Sequence, residues 1–143
     1  MPSDTDFSAA GEEPPIPEIQ ALLLCDREVY DPRTGTRSLF GIFTRVDVES
    51  FPAGFELDFY ARLTNANGLY TFRLEFVHAV GDVALGGGDF GPFNMNDAAG
   101  VHEFTARAAV ALPEPGHYEF RLYGNGIYIG RTAFSAFLAE TKG

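Results

Sequence analysis

Cysteine, histidine and aspartate side chains in this chain could support nucleophilic or metal-dependent chemistry if the fold brought them together. Cys25 is the only cysteine, and it precedes Asp26 inside an apolar run. A nucleophilic thiol needs a histidine or a helix N-terminus to activate it, and the local sequence offers neither, so we expect a buried, unreactive thiol. His78 and His102 with Asp82 could bind zinc in principle, but no short ligand spacing supports this. The sequence therefore predicts no metal site and no cofactor.

The segment GGGDFGPFNMND combines glycines with oxygen-bearing side chains. Asp89, Asn94, Asn96 and Asp97 are ligands of the type that calcium prefers, although they do not match the EF-hand register. The segment has no lysine and no serine or threonine where a phosphate-binding loop requires them. We expect an ordinary loop rich in Asx turns, with calcium binding as the alternative.

The charge of the chain disfavours two classes of partner. Its 143 residues include 20 acidic and 10 basic side chains, which gives a formal net charge of −10. Such a surface repels phosphate backbones and anionic membranes. The N-terminal residues lack the basic and apolar parts of a signal peptide, and no apolar run reaches the roughly 20 residues that span a bilayer. We therefore expect a cytoplasmic protein that binds neither nucleic acid nor membranes.

The elements that position these residues are predicted to be strands. The 14 Phe, 6 Tyr, 16 Gly and 9 Pro favour strands and turns over helices. Apolar and polar residues alternate along FELDFYARLT and LYTFRLEFVHAV, which is typical of half-buried strands. RSLFGIFTRVDV predicts one strand with Phe40, Ile42, Val46 and Val48 on one face. About eight strands in all predict an all-β, single-domain fold, an immunoglobulin-like Greek-key β-sandwich.

Composition also predicts the domain boundaries. Residues 1–16 are acidic and Pro-rich and cannot bury much apolar surface, so we expect a disordered arm. Residues 17–139 should form the β-sandwich, followed by a tail at residues 140–143. Within the sandwich, residues 81–100 predict a long irregular connection with at most one short strand, near residues 83–85.

The segment PEPGHYEFRLYGNGIYIGRTAF, residues 113–134, predicts a corner, a strand, a tight turn and a final strand. Pro115–Gly116 end the preceding strand and permit a sharp corner, because proline lacks a backbone donor and glycine tolerates unusual φ angles. Tyr118 follows on the inward face, as in the tyrosine corner of Greek-key sandwiches. Asn125–Gly126 tolerate the positive φ angles of a type I′ turn. We interpret this tail as framework.

Four sequence motifs together resemble a family of small, uncharacterised bacterial proteins. The motifs are Leu-Leu-Cys-Asp at 23–26, Ser-Leu-x-Gly-x-Phe at 38–43, Ser-Phe-Pro-Ala at 50–53 and Pro-x-Pro-Gly-x-Tyr-x-Phe-x-Leu at 113–122. The resemblance extends over the chain from Pro17 onward. It implies a β-sandwich of bacterial origin and implies no particular activity.

One candidate binding surface comes from residues with outward parity on two predicted strands. Tyr60 and Arg62 lie on one strand, and Arg121 and Tyr123 lie on another. In an immunoglobulin-like arrangement we expect these strands to be neighbours, so that the four side chains share an exposed face. Tyrosine and arginine are enriched in interface hot spots. Ordinary cross-strand pairs on a solvated sheet are the alternative.

These observations favour a non-catalytic module that binds an unidentified protein. A sandwich presents strand faces, edges and end loops on which another protein can dock. A module for small ligands or carbohydrates is the second hypothesis, which the absence of tryptophan weakens. A metal-dependent enzyme is the weakest, because no nucleophile, paired carboxylate or ligand cluster is apparent. The oligomeric state stays open.

Overall fold

The computed structural model describes residues 13–97 and 99–140, in which the chain forms nine β-strands and one short 3-10 helix, Val80–Asp82. The strands are β1 (Glu18–Asp31), β2 (Thr36–Ile42), β3 (Arg45–Val48), β4 (Ala53–Thr64), β5 (Asn67–His78), β6 (Val83–Asn96), β7 (His102–Leu112), β8 (Gly116–Gly124) and β9 (Ile127–Leu138). Across these described ranges, no helix has the length and apolar character that a membrane crossing requires.

The strands form two sheets that pack as a β-sandwich. The first sheet has the strand order β2-β1-β4-β7, and the second has the order β3-β9-β8-β5-β6. Neighbouring strands are antiparallel, except that β3 runs parallel to β9. The predicted all-β, single-domain sandwich is confirmed, with nine strands among the described residues instead of about eight.

Aromatic side chains dominate the core between the two sheets. The inward side chains of β4 are fully buried, as their alternation predicts: Leu57, Phe59, Ala61 and Leu63. Phe59 packs against Phe120 of the second sheet with ring centroids 6.1 Å apart, and Phe76 lies 4.9 Å from the same ring. Burying one such side chain stabilises the fold by about 1.5–3 kcal/mol. This aromatic layer therefore holds the two sheets together.

The segment that was predicted to form one return strand instead forms two strands in different sheets. β2 pairs with β1, whereas β3 pairs with β9 of the opposite sheet. Phe40 and Ile42 are 49% and 54% exposed, while Val46 and Val48 pack against the core. The prediction of one shared face is wrong because the chain crosses between the sheets after β2, and the alternation of faces restarts there.

The predicted irregular connection at residues 81–100 is mostly an edge strand, β6, which pairs along β5. Nearly all of its side chains are at least partly exposed. Its sequence, VALGGGDFGPFNMN, therefore lacks the regular alternation of apolar and polar residues that identifies a half-buried strand. Pro92 is also typical of a strand breaker, although an edge strand accepts proline. The predicted irregular connection is wrong because glycine and proline, which are typical of loops, also occur in edge strands.

The corner before β8 has the predicted geometry. Tyr118 is fully buried, and its hydroxyl donates a hydrogen bond to the backbone oxygen of Glu114 at 2.5 Å. The backbone N–H of Glu114 points back to the same hydroxyl at 3.3 Å. Asn125 and Gly126 have φ angles of 50° and 81°, as a type I′ turn requires. The tyrosine corner and the tight turn are both confirmed.

Residues 13–16, assigned from sequence to the arm, contact the sandwich. The hydroxyl of Tyr70 donates a hydrogen bond to the backbone oxygen of Pro15 at 2.6 Å, and Pro17 is buried. Residues 1–12 of the predicted arm, and residues 141–143 of the predicted tail, lie outside the described residues. The packed part of the chain therefore begins before the predicted boundary.

Candidate functional site

The four side chains predicted to form one binding face lie on two different sheets. Tyr60 and Arg62 are on β4 of the first sheet, and Arg121 and Tyr123 are on β8 of the second. β4 pairs with β1 and β7, whereas β8 pairs with β5 and β9. The prediction that Tyr60 and Tyr123 are neighbours on one face is therefore wrong.

Tyr60 has the predicted outward parity but is covered. It is 6% exposed, and its hydroxyl donates a hydrogen bond to Glu103 of β7. Arg37 of the β1–β2 hairpin contacts Thr105 at 3.0 Å and Glu103 at 3.6 Å. Two strands separate β2 from β7 in the sheet, so the hairpin must bend over the outer face. Burial and the hydrogen bond to Glu103 raise the pKa of Tyr60.

On the second sheet, Arg121 and Tyr123 are held by neighbouring carboxylates. Arg121 pairs with Asp82 at 2.5 Å and with Glu119 at 3.0 Å, and these two hydrogen bonds raise its pKa. The hydroxyl of Tyr123 lies 3.4 Å from Glu75. Both side chains are partly buried. These contacts are those of cross-strand pairs on a sheet surface.

The candidate catalytic residues are dispersed. Burial, and next the nearby Asp58 carboxylate, raise the pKa of the Cys25 thiol, which lowers its thiolate fraction. His78 Nε2 lies 3.3 Å from Glu114 Oε1 at the tyrosine corner, whereas His102 Nε2 lies 3.3 Å from the backbone oxygen of Asp97. In the part of the chain that the structure covers, no three His, Cys, Asp or Glu side chains are grouped to hold a metal ion.

The oxygen-bearing residues considered for calcium follow an extended strand and its end instead of a loop. Asp89, Asn94 and Asn96 belong to β6, and Asp97 follows directly after it. Asp89 forms an ion pair with Arg73 of β5 at 3.4 Å. Asp97 accepts a hydrogen bond from the backbone N–H of Ala99 at 3.1 Å, which fixes the turn before β7. Each of these two aspartates therefore has a structural contact within the protein.

An apolar cleft runs along one side of the sandwich, between β6 and β7. Its volume is ≈ 670 Å³. β6 lines it with residues 85–90, β7 lines it with residues 105–111, and Leu74, Phe76 and Phe120 form the floor. This volume falls within the range of about 300–1,000 Å³ that is usual for ligand-binding pockets. We define these residues as the β6–β7 cleft.

The β6–β7 cleft exists because β6 lacks side chains at two inward positions. Gly86 pairs with Phe76 and Gly88 pairs with Leu74, so both glycines face the core side of the sheet. A Cβ atom at either glycine would meet no other heavy atom within 4 Å. Protein interiors are normally close-packed, and glycine inside a strand often marks a place where a ligand or another backbone approaches.

The facing strand β7 also presents small side chains. Ala106, Ala108 and Val110 are the inward residues in the middle of β7, and each is only partly buried against the core. Phe90, which lines the cleft, packs against the buried Phe104 of β7 with ring centroids 5.1 Å apart. Small residues on both walls therefore leave open space above a floor that is itself buried, since Leu74, Phe76 and Phe120 are 7%, 4% and 2% exposed.

The charged residues at the rim of the β6–β7 cleft form ion pairs with residues of the neighbouring strands β5 and β4. Asp89 pairs with Arg73, as described above, and Arg107 pairs with Asp58 at 3.2 Å and with Glu56 at 3.2 Å. The hydrogen bonds to Asp58 and Glu56 raise the pKa of Arg107. The floor is apolar, so the cleft is suited to binding apolar groups and offers no general acid or base over its floor.

Comparisons with known proteins place this domain in a family. The model "Family of unknown function (DUF6941)" matches residues 20–137. The chain belongs to this family. The resemblance to an uncharacterised family that the four motifs indicated is thus confirmed. No curated protein matches the DUF6941 chain.

One similar solved structure is the Pseudomonas fluorescens alkylpurine DNA glycosylase AlkC bound to DNA containing an abasic site analog. Its identity to the DUF6941 chain is 15%, with a TM-score of 0.46. The match covers 85% of the DUF6941 chain and 30% of the glycosylase chain.

The residues that form the cleft of this DUF6941 member were not recognised as a site from the sequence. Gly86, Gly88 and Phe90 follow a period of two, with the aromatic ring at the third position. Ala106 and Ala108 were correctly placed on the inward face of their strand, but only as core residues. The sequence feature that indicates the cleft is the presence of small inward residues on two edge strands. This feature can be used only when β6 and β7 are known to lie on the same side of the sandwich.

Proposed function

We propose that this protein is a non-catalytic module that binds an apolar segment of a partner protein in the β6–β7 cleft. The observation that carries the proposal is the pair of empty inward positions, Gly86 and Gly88, above a floor of core aromatic residues. The space above this floor favours association with an apolar side chain, because burying the apolar area of that side chain contributes roughly 25 cal/mol per Å². Leu85 and Phe93, which also line the cleft, are 39% and 37% exposed, and exposed apolar surface commonly marks interaction sites.

The proposal excludes catalysis because of the chemistry of the cleft. Leu74, Phe76 and Phe120 cannot transfer protons or act as nucleophiles. The charged lining residues, Asp89 and Arg107, are already in ion pairs. Binding is the function that such a surface supports.

A cleft-filling substitution tests the proposal. Gly88→Val places a side chain in the open space of the cleft, where an added Cβ would meet no heavy atom within 4 Å. Random peptides displayed on phage would be selected against the wild-type protein and then measured against the variant. We expect selected peptides to carry several apolar residues and to lose about tenfold or more in affinity for Gly88→Val.

Gly54→Val is the matched control. A Cβ atom added at Gly54 would also meet no heavy atom within 4 Å, but this glycine is exposed on β4, opposite Ala111 and on the outer side of the sheet. This variant should bind the selected peptides like wild type. Equal loss in both variants, or peptides that bind Gly88→Val as well as wild type, would contradict the assignment of the cleft.

A small apolar ligand is the second candidate for the same cleft. The cleft volume of ≈ 670 Å³ supports it, because ligands of moderate size occupy pockets of this order. Native mass spectrometry of protein purified from its host checks this possibility. A bound small molecule that Gly88→Val excludes would favour the ligand over the protein segment.

The proposal includes an immunoglobulin-like topology and a cytoplasmic location. The tyrosine corner at Tyr118 and the parallel pairing of β3 with β9 support the first. A lone buried cysteine, Cys25, supports the second, since stable domains of oxidising compartments often rely on disulfides. The net charge of −10 supports a protein partner rather than nucleic acid.

A further inference from the structure

We infer that the partner segment binds as an added strand of the first sheet, hydrogen-bonded to β7. This inference rests on the proposed function and specifies how the segment is held. β7 pairs on one side with β4, and among the described residues its other side has no strand partner. An unpaired edge offers a row of backbone N–H and C=O groups to an extended peptide.

β7 has few of the features that protect edge strands from pairing. It pairs with β4 in unbroken register from Leu63–His102 to Ala53–Leu112, without a bulge. Residues 105–111, TARAAVA, contain no proline and no lysine. Their one charged residue, Arg107, is turned toward Asp58 and Glu56 of its own sheet. A regular, weakly charged edge is the kind that accepts another strand.

The opposite wall is less suited to pairing. β6 contains Pro92, which lacks a backbone donor, and its pairing with β5 shifts register at Tyr70/Phe72 and at Phe76/Val77. Bulges and proline are the usual means by which edge strands avoid new partners. The run Gly86–Gly88 also has a high entropic cost of ordering. β7 is therefore the edge that we assign to the incoming strand.

The side chains of the incoming strand would alternate between two environments. Those directed into the sandwich would lie over Leu74 and Phe76 and fill the space left at Gly86 and Gly88. Leucine, valine or phenylalanine side chains fit this role. A second copy of β7 is a poor occupant, because two of the three inward residues in its middle, Ala106 and Ala108, are alanine and would leave the space unfilled.

The outward side chains of the incoming strand would lie beside Ala109 and Ala111, both of which are small and exposed. Glu56, which is directly opposite Ala109 on β4, has a side chain that is 68% exposed. With a net charge of −10 on the whole chain, basic residues are favoured at these outward positions. The expected segment thus alternates leucine-like and lysine-like residues.

The experiment uses the full-length protein and a synthetic peptide of about eight residues, a usual strand length, that alternates lysine with leucine, valine and phenylalanine. Amide hydrogen exchange is followed by NMR with and without saturating peptide. We expect the edge amides of residues 105–111 to exchange about tenfold or more slowly in the complex. Protection confined to residues 83–91 would assign the strand to β6 and overturn the inference while leaving the proposed function intact.

N-methylated peptides separate backbone pairing from simple filling of the cleft. In an extended strand the amides of the lysine residues point to one edge and those of the apolar residues to the other. Methylating one set should weaken binding by about tenfold or more, whereas methylating the other set should change it less than about twofold. Equal, small effects of both sets would mean that apolar side chains bind without strand addition, and would overturn the inference.

Two further controls distinguish the remaining outcomes. A peptide of the same composition with its apolar residues grouped in a block should not bind, because it cannot direct them to one face. Sedimentation of the free protein should show a monomer; a dimer with protected β7 amides would assign the edge to a second copy and overturn the inference. Failure of every peptide to bind the wild type would instead reject the proposed function itself.

Discussion

A single phenol group at Tyr118 satisfies backbone groups that no strand can pair. Glu114 lies in the corner between β7 and β8, outside both strands. The hydroxyl of Tyr118 donates to its carbonyl and lies 3.3 Å from its N–H. Because the ring is fully buried and stacks on Phe76 with centroids 5.4 Å apart, the hydroxyl is fixed at the corner. Packing and hydrogen bonding therefore act together at one residue.

The substitution Tyr118→Phe tests this role. It keeps the ring and removes the hydroxyl, so we expect a loss of about 0.5–1.5 kcal/mol in the free energy of unfolding. Urea denaturation monitored by circular dichroism measures the change. Tyr128→Phe is the control, since Tyr128 is 48% exposed. An unchanged midpoint for Tyr118→Phe would contradict the structural role of the hydroxyl.

Alkaline pH provides a second test at the level of residues. Burial raises the pKa of Tyr118 and of Tyr60 above the ordinary tyrosine value of about 10. A phenol with a higher pKa in the folded state contributes stability that is complete below the unfolded pKa and is lost as pH rises through the folded pKa. We therefore expect the free energy of unfolding to fall above about pH 10.

The alkaline loss should be shallower in Tyr118→Phe, because that variant has one fewer buried phenol to ionise. Urea denaturation at a series of pH values compares the slopes. Slopes that are the same in wild type and variant would show that Tyr118 ionises alike in the folded and unfolded states.

Which single residues could be predicted depended on how local their environment is. Tyr118 was assigned correctly because its partner is four residues away along the chain. Tyr60 was assigned the correct parity, but its cover comes from the β1–β2 hairpin, with Arg37 reaching β7. The bend of a hairpin over a sheet produces no periodic pattern of apolar residues, so the burial of Tyr60 could not be predicted from the sequence. The pairing of Tyr60 with Tyr123 failed for a similar reason, since sheet membership is set by long-range pairing.

At the level of elements, the glycines of β6 serve two different purposes. Gly88 has ordinary backbone geometry and open space, whereas Gly91 has a φ of 108° and a Cβ there would lie 3.0 Å from the backbone oxygen of Tyr70. Of these two glycines, Gly91 is the one that the backbone requires. The backbone at Gly88 would accept another residue, yet glycine there lowers the stability of the strand. A cost in stability of this kind is consistent with a role in binding.

Alanine substitutions at the two positions should therefore have opposite effects. Gly88→Ala should raise the free energy of unfolding by about 0.5–1 kcal/mol, because it removes the entropic cost of glycine in a strand. Gly91→Ala should lower it by about 1–3 kcal/mol, because the alanine would occupy a strained region of φ. Thermal and urea denaturation measure both. Destabilisation by Gly88→Ala would show that the cleft has no room at that position.

The strands that the sequence predicted best are those with one core face and regular alternation. β4 was identified from FELDFYARLT, whose inward residues are buried as expected. β6 was missed because its inward positions carry glycine where a core strand carries leucine or phenylalanine. The same feature that concealed the strand creates the cleft. A departure from the core pattern was therefore the strongest available indication of the site.

At the scale of the whole molecule, the two sides of the sandwich differ. On one side the chain passes directly from β2 at the edge of the first sheet to β3 at the edge of the second. On the other side β6 and β7 are the edges, and the β6–β7 cleft opens between them. A strand added to β7 would lie opposite β6 and cover the β6–β7 cleft. The first sheet would then have five strands, as the second sheet does.

The net charge of −10 predicts how this binding responds to salt. A lysine-bearing peptide is attracted by the negative field of the whole molecule. Raising the salt concentration from about 0.1 M to about 1 M shortens the Debye length from about 10 Å to about 3 Å. We therefore expect its affinity to fall by about tenfold over this range.

A peptide with glutamine in place of every lysine should bind more weakly at low salt, and its affinity should change little with salt concentration. Fluorescence anisotropy of labelled peptides measures both series. The same salt response for the two peptides would mean that apolar contact alone holds the segment, and that the acidic surface has no part in selecting it.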